Sequence, residues 1–209
     1  MSLQNASLVV YDLESGGPNP KCHPIIQLAA IAVDQATLVE IESIEIKIHF
    51  DERTANKYSL RTNSYSRSLW QRAAMPEQVA AQRFAAFLRR HATHRAISSA
   101  GREYGLAQLI AHNAAFDGPF LQNWYERLNL FCPARGSVFC TLQRCHWYFV
   151  ENSHLVPPKN FRLATLCQYF DIPFAAADAH DALGDARATV ALYQALIVRQ
   201  RTIVYPKVA

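Results

Sequence analysis

The sequence predicts an α/β protein in which helices flank a mixed β-sheet. Two apolar runs, residues 7–13 and 25–34, indicate buried strands, and the alternating segment 38–50 indicates a half-buried third strand. A long helical pattern follows, and strand-like and helix-like segments then alternate towards the C-terminus. A half built from hairpins, followed by crossover connections, requires antiparallel and parallel pairs in one sheet.

The first half contains two features that need comment. The alternation of the third strand slips by one place at Ser43, where a β-bulge could restore it. The polar segment 58–74, which contains scattered Tyr65, Leu69 and Trp70, predicts loop and short helix. Pro76 and Glu77 then open a helix that we expect to continue to about residue 94.

The second half alternates between short apolar runs and helical patterns. We expect a fourth strand at 106–111, a helix at 114–128, a fifth strand at 137–140, and helices at 141–150, 161–170 and 180–198. Asn113 can cap the first of these helices. Pro119 requires either that this helix begins near it or that the first turn is irregular, because its ring would break a longer helix.

Length and composition favour one domain, residues 1–209, with a motif-bearing core at about 7–198. Half of the residues are hydrophobic, which is enough to build a core. The longest apolar stretches, such as 25–33, are shorter than the ~20 residues of a membrane-spanning helix. The first eight residues lack the pattern of a signal peptide. We therefore predict a cytoplasmic protein without a membrane partner.

The five cysteines do not predict a disulfide framework, because their number is odd and their spacing is irregular. Cys140, Cys145 and His146 suggest a zinc site, but the first spacing is too wide and no second pair follows. Reduced cysteines packed in a cytosolic core are the favoured interpretation.

Net charge is +4, from 21 basic and 17 acidic residues. If four acids hold metal ions, the remainder carries 21 positive against 13 negative charges, which is +8. A basic surface around an acidic pit suits a polyanionic substrate, although a slightly basic protein can also simply be soluble.

Acidic side chains follow two of the predicted strands. Asp12 and Glu14 are two apart, so they share a face at the C-terminal end of the first strand, where open α/β sheets place their ligands. Asp117 follows the fourth strand, in the first turns of a helix, where the helix dipole also favours an acid. Each feature is weak alone, because acids often end strands and begin helices.

A histidine and a further acid begin the last helix. His180 and Asp185 would lie about 140° apart on one continuous helix and could not converge. We therefore expect His180 in the preceding loop or at the helix start, and Asp185 on the helix face. Gly184 beside them would allow close approach of backbone or ligand.

Together these three segments resemble the motifs of DEDDh exonucleases. The segment 11–17, YDLESGG, is similar to the first motif, although Ser15 and Gly16 depart from its commonest wording; HNAAFD at 112–117 and HDALGDA at 180–186 are similar to the second and third. The resemblance covers about residues 8–198. It implies a ribonuclease H-like fold with a five-stranded mixed sheet and helices on both sides.

The resemblance also implies a two-metal 3′→5′ hydrolysis that releases nucleoside 5′-monophosphates from single-stranded DNA. Asp12, Glu14, Asp117 and Asp185 would bind two divalent cations, Mg²⁺ or Mn²⁺, with Asp12 the best candidate to bridge them. His180 would take the proton of the attacking water. Substrate contacts are expected at Ser15, Asn113 and Phe116, although Phe116 could equally be a core residue.

Other interpretations remain open. The same fold could trim the 3′ ends of RNA, since no residue visibly reads the 2′-hydroxyl. A non-catalytic nucleic-acid-binding module is disfavoured by the complete set of five residues. An unrelated α/β protein with accidental acids is a third alternative. A polymerase or a second copy of the chain are candidate protein partners.

Overall fold

In the computed structural model, residues 6–63, 65–175 and 180–204 are described, with side chains as far as residue 200. The strands, in chain order, are β1 (Ser7–Ser15), β2 (Ile25–Asp34), β3 (Glu40–Lys47), β4 (His94–Ile97), β5 (Glu103–Leu106), β6 (Leu109–Ala111) and β7 (Phe139–Cys140). The helices are α1 (Lys57–Thr62), α2 (Arg67–Ala73), α3 (Glu77–Arg90), α4 (Ala114–Arg127), α5 (Thr141–Glu151), α6 (Leu163–Tyr169) and α7 (Ala182–Val204).

The central sheet has five strands in the order β3-β2-β1-β6-β7. β1 pairs antiparallel with β2 along its whole length, and β2 pairs antiparallel with β3. On its other side β1 runs parallel to β6, through Val9–Leu109 and Val10–Ile110, and β6 runs parallel to β7. The predicted mixed sheet is therefore confirmed.

Helices cover both faces of this sheet. The side chains of Val9, Tyr11 and Leu13 pack in one core cluster with residues of α3 and α4. Leu8 and Val10 point to the opposite face and pack against α7. α5 and α6 lie behind α7, in a third cluster that contains Leu192 and Leu196. This architecture matches the ribonuclease H-like fold that the motifs implied.

The β-bulge in β3 lies two residues before the predicted place. Ala32 pairs with Glu42 and Val33 pairs with Glu40, so that Ile41 is the extra residue, whereas Ser43 pairs regularly with Ile31. The alternation slips because Glu42 occupies a position on the α3 face. Arg90 Nη2 and His91 Nε2 contact its carboxylate oxygens at 2.6 and 2.8 Å, which satisfies a charge at an otherwise apolar position.

A two-stranded hairpin, β4–β5, was not predicted. The helix expected to reach residue 94 ends at Arg90, and the strand expected at 106–111 divides into the end of β5 and a separate β6. β4 and β5 have four residues each, and none of these residues is fully buried. Without a buried face such short strands carry no alternating pattern, so sequence reasoning cannot find them.

The helix α4 begins at Ala114 and continues through Pro119. Of the two predicted solutions, an irregular first turn is the one observed, because the Phe116 amide bonds to the Asn113 carbonyl at 2.8 Å, one residue short of α-helical spacing. The predicted side-chain cap is wrong, since Asn113 makes no such bond and instead adopts a left-handed backbone with φ of 62°.

In the part of the chain that the structure describes, no helix is both long enough and apolar enough to span a membrane.

Candidate metal and catalytic site

The first part of the candidate site is the C-terminal end of β1. Because side chains alternate along a strand, Asp12 and Glu14 lie on the same face as Leu8 and Val10, which is the face covered by α7. Asp12 is half-buried, and Glu14 is 7% exposed. Two carboxylates are therefore held between the sheet and the beginning of α7.

Asp117 reaches the same place from the other side of β1. The Val9 amide donates to Gln108 at 3.0 Å, so every second amide of β1 points towards β6. Pairing with β6 ends at Val10, and the Leu13 amide donates instead to the Asp117 carboxyl group. That carboxyl group also accepts from its own backbone amide and is 3% exposed. The hydrogen bond from the Leu13 amide fixes Asp117 beside the strand that carries Asp12 and Glu14.

His180 and Asp185 complete the cluster, and their placement confirms the predicted loop and helix. His180 is exposed and precedes α7, whereas Asp185 lies in its first turn. The His180 backbone has φ of 63°, and its amide donates to Asp185 Oδ2 at 3.2 Å. Ligand atoms of Glu14, His180 and Asp185 all lie within 4.8 Å of one another. The three sequence segments therefore converge at one pocket.

The carboxyl groups repel one another. Burial, then Asp117, Glu14, Asp185 and Asp181, raise the pKa of Asp12 well above its usual value. Burial and the neighbouring carboxylates raise the pKa of Glu14 to about 8. Burial is also the main reason that the pKa of Asp117 rises to about 7 and that of Asp185 to about 6. Among the described residues, no lysine or arginine forms an ion pair with any of these four acids.

Such a donor set fits divalent cations. Carboxylate oxygens are the ligands that Mg²⁺ and Mn²⁺ prefer, and an unpaired acidic cluster lacks the positive charge that a cation supplies. Zinc held by cysteines does not fit: the five cysteines are free, and the cluster that could hold a metal ion within the described ranges contains none of them.

Two polar residues that sequence reasoning missed hold the start of α7 against the sheet. Asp181 accepts from the Gly184 amide at 3.2 Å, as an N-terminal cap does. Its other oxygen accepts from Gln27 Nε2 at 2.9 Å, and Gln27 also donates to Glu45 at 3.0 Å. Gln27 is 2% exposed on an otherwise apolar strand, and a buried amide in such a position is the signal that could have indicated this role.

The expected substrate residues surround the cluster in different ways. Ser15 is buried, and its hydroxyl donates to the Gly17 carbonyl at 2.8 Å. Phe116 packs against the core cluster, with its ring 5.0 Å from that of Phe120, which favours the core interpretation. Asn113 is exposed at the start of α4, four residues before Asp117.

The histidine of the second motif, His112, has a structural role. Its Nδ1 lies 2.9 Å from Thr141 Oγ1 and its Nε2 lies 3.1 Å from the Phe161 carbonyl, so it links β6 to α5 and to the segment before α6. Burial lowers the pKa of its imidazole, which therefore stays neutral.

The fold and the convergent acidic cluster together are typical of ribonuclease H-like nucleases. The chain matches a family described as exonuclease, RNase_T, over residues 9–100 and 103–193. It therefore belongs to this exonuclease family, and it is a 3′→5′ exonuclease hydrolase.

Curated relatives agree with this membership. The chain is 28% identical to ribonuclease T of Actinobacillus pleuropneumoniae over 205 residues, which cover 93% of this chain and 85% of that protein. It is 29% identical to ribonuclease T of Haemophilus ducreyi over 203 residues. It is also 28% identical to the PolC-type DNA polymerase III of Halalkalibacterium halodurans, covering 97% of this chain but 12% of the polymerase.

Solved structures share the fold. Exonuclease I aligns with a TM-score of 0.77 and 18% identity over 95% of this chain. Exonuclease I of E. coli in complex with a dT13 oligonucleotide aligns with a TM-score of 0.75. The chain spans about two fifths of exonuclease I, 42% and 43% in these two structures.

Proposed function

We propose that this chain, as a single domain of residues 1–209, hydrolyses single-stranded DNA from its 3′ end with two divalent cations, Mg²⁺ or Mn²⁺, and releases nucleoside 5′-monophosphates. The observation that carries the proposal is the convergence of Glu14, His180 and Asp185 within 4.8 Å, together with the carboxyl groups of Asp12 and Asp117, which interact with this cluster.

Each residue of the cluster has a role in this proposal. Asp12, Glu14, Asp117 and Asp185 would hold the cations, and Asp12 is the best candidate for a shared ligand because it interacts with the other three carboxylates. When bound, the two cations neutralise the scissile phosphate and hold the attacking and leaving oxygens in line.

His180 is the proposed general base. Its imidazole is exposed at the pocket, where it can reach the proton of the attacking water. The hydrogen bond from its amide to Asp185 holds the backbone, so the ring is presented from a fixed position. Ser15, Asn113 and Phe116 are proposed to contact the terminal nucleotide.

Replacement of Asp12 and His180 tests these roles. Asp12→Asn keeps the shape but removes the charge, and His180→Asn keeps a residue type that tolerates the left-handed backbone at this position. We expect each variant to lose at least a hundredfold in hydrolysis of a labelled oligonucleotide while keeping its circular dichroism spectrum. His154→Asn, on another part of the surface, should remain fully active. Full activity of either site variant would refute the assignment.

A 3′-end-trimming exoribonuclease is the second candidate, because relatives named ribonuclease T align over 93% of the chain. The preference for DNA is supported by the fold shared with exonuclease I bound to an oligonucleotide and by the polymerase relatives. Single-stranded DNA, duplex DNA and RNA of one sequence, each labelled at either end, should be compared. Faster shortening of the RNA from its 3′ end would replace the first candidate by the second.

The predictions of a protein partner and of a cellular location depend on this activity. A polymerase or a second copy of the chain is a proposed partner, and a cytoplasmic location is proposed as well. A non-catalytic binding module is not proposed, since the chain belongs to an exonuclease family and retains the complete acidic cluster.

A further inference from the structure

A separate cavity of about 460 Å³ lies beside the edge strand β7, between α5 and α7. Its lining includes Gln143, Arg144, Trp147 and Glu151 from α5, and Tyr193 and Gln200 from α7. Gln200 is 15 residues after Asp185 on the same helix, which corresponds to about 22 Å along its axis. The lining contains neither His180 nor any of the four acids, so the cavity is distinct from the acidic cluster, and its volume falls in the range of small-molecule sites.

The guanidinium group of Arg144 is incompletely paired within this cavity wall. Its Nη2 donates to Gln200 Oε1, but its Nε is buried and has no hydrogen-bond partner. Within the described residues, no carboxylate lies within ion-pair distance of Arg144. A buried N–H of a cation without an acceptor is unfavourable, and a planar guanidinium matches the oxygens of phosphate or carboxylate. The described residues therefore supply no anionic partner for the guanidinium group of Arg144.

An aromatic surface stands next to this cation. Trp147 is three residues after Arg144 on α5, so both side chains lie on one side of the helix. Its indole is 64% exposed, in contrast to 4% for Trp70 and 2% for Trp124. An exposed indole offers a face on which a nucleobase can stack.

We propose that this cavity binds a nucleotide, with its phosphate against the guanidinium group of Arg144 and its base on Trp147. The choice of a nucleotide among aromatic anions rests on the proposed function, which releases or holds such groups. The orientation follows from charge. Glu151, the acidic residue of the lining, lies seven residues and about 10 Å along α5 from Arg144, so a phosphate is favoured at the Arg144 end. The nucleotide comes either from free monophosphate or from a strand.

Tryptophan fluorescence provides the test, because Trp147 is the exposed one of the three tryptophans. The metal-free protein in EDTA is titrated with thymidine 5′-monophosphate, and separately with a dT12 oligonucleotide. We expect saturable quenching by at least one of them, with affinity about tenfold or more lower in Arg144→Gln, as for loss of a charge-assisted hydrogen bond. Glu151→Gln should bind at least twofold more tightly. Arg102→Gln, an exposed arginine on the β4–β5 side, is the matched control and should bind like the wild type.

The two arms identify the source of the nucleotide. Quenching by the monophosphate indicates a site for the free nucleotide, whereas quenching by the oligonucleotide alone indicates a path for the strand. No quenching by either ligand at millimolar concentration, or equal quenching of wild type and Arg144→Gln, would overturn the proposal. Hydrolysis with Mg²⁺ is measured separately on the same variants, so failure of the exonuclease assignment is distinguished from failure of this site.

A structural role of Arg144 is tested by thermal unfolding without ligand. Removing a cation that lacks a counterion should leave the melting temperature of Arg144→Met equal to or above that of the wild type. A large decrease would show that the bond to Gln200 stabilises the fold, and it would count against the proposal. Trp147→Ala alters an exposed side chain, so it should fold normally and lose the heat of nucleotide binding in calorimetry.

Discussion

Gly16 illustrates how a single residue supports the acidic cluster. It follows the strand that carries Asp12 and Glu14, and a Cβ atom at this position would lie 2.8 Å from Cδ of Pro24 and 2.9 Å from Cβ of Ala55. Its amide and carbonyl are hydrogen-bonded to Pro24 and Asn56, so the backbone cannot shift away without losing these bonds. The absence of a side chain here therefore allows two loops to close over the end of β1.

We expect Gly16→Ala to destabilise the protein by about 1–3 kcal/mol, as overpacking does. It should also lower hydrolysis, because the neighbouring Glu14 would move. Urea unfolding and the oligonucleotide assay measure the two effects. Gly136→Ala is the matched control, since nothing lies within 4 Å of a Cβ atom there. If Gly16→Ala matched Gly136→Ala in both measurements, the close packing of Pro24 and Ala55 around Gly16 would contribute neither to stability nor to hydrolysis.

At the residue scale, the sequence predicted the acids and the histidine because each lies at a strand end or a helix start that its own segment indicates. It could not predict Asp181 and Gln27 as partners, since they are 154 positions apart and meet only when α7 packs on β2. The misassigned cap at Asn113 has a similar cause. An asparagine before a helix suits both a cap and a left-handed backbone, and sequence alone does not distinguish them.

At the scale of elements, the residues at both ends of the short helix α1 are hydrogen-bonded to the segment that follows Glu14. Asn63, which follows the helix and is buried, donates from Nδ2 to the Ser15 carbonyl at 2.9 Å. Asn56, which precedes the helix, donates its amide to the Gly16 carbonyl and caps the helix with its side chain. α1 therefore moves with the chain segment that follows Glu14.

We expect Asn63→Ala to reduce stability by about 1–3 kcal/mol, because the Ser15 carbonyl would lose its buried partner. The KM for a labelled oligonucleotide should rise more than kcat falls, since the change loosens a wall of the pocket and leaves the carboxylates in place. Melting temperature and steady-state kinetics measure this. Gln82→Ala, on the exposed side of α3, should change neither quantity. A selective fall in kcat would contradict the proposed role of α1.

Buried strands were predicted more accurately than exposed ones. β2 was predicted with its observed bounds because nine of its ten residues are buried and all of these except Gln27 are apolar. The observed β1 is two residues longer than the predicted strand. The additional residues, Glu14 and Ser15, are polar, so the apolar pattern did not include them. β4 and β5 were missed because their stability depends on contacts with each other, which a local pattern does not encode.

At the scale of the whole molecule, charge is divided between the pocket and the surface. The chain has a net charge of +4 although at least four acids are concentrated at one edge of the sheet. Five of the other acids in the described ranges form ion pairs with arginines, among them Glu42 with Arg90 and Glu77 with Arg127. The acidic cluster is thus the part of the described chain where folding brings like charges together and leaves them uncompensated.

Burial of these acids, together with their repulsion, predicts how the stability of the metal-free protein depends on pH. The folded-state pKa of Glu14 is about 8 and that of Asp117 about 7, both above their unfolded values, so the folded protein binds more protons and loses stability as pH rises towards these values. In EDTA, we expect the free energy of unfolding, measured in urea, to fall by about 2–4 kcal/mol between pH 5.5 and 8. Saturating Mg²⁺ should restore about 2–3 kcal/mol at pH 8 and less at pH 5.5, where protons compete.

Glu14→Gln removes one of the titrating groups, so its stability should depend less steeply on pH and respond less to Mg²⁺. Equal pH dependence of the wild type and this variant would show that the carboxyl groups do not interact as the structure indicates.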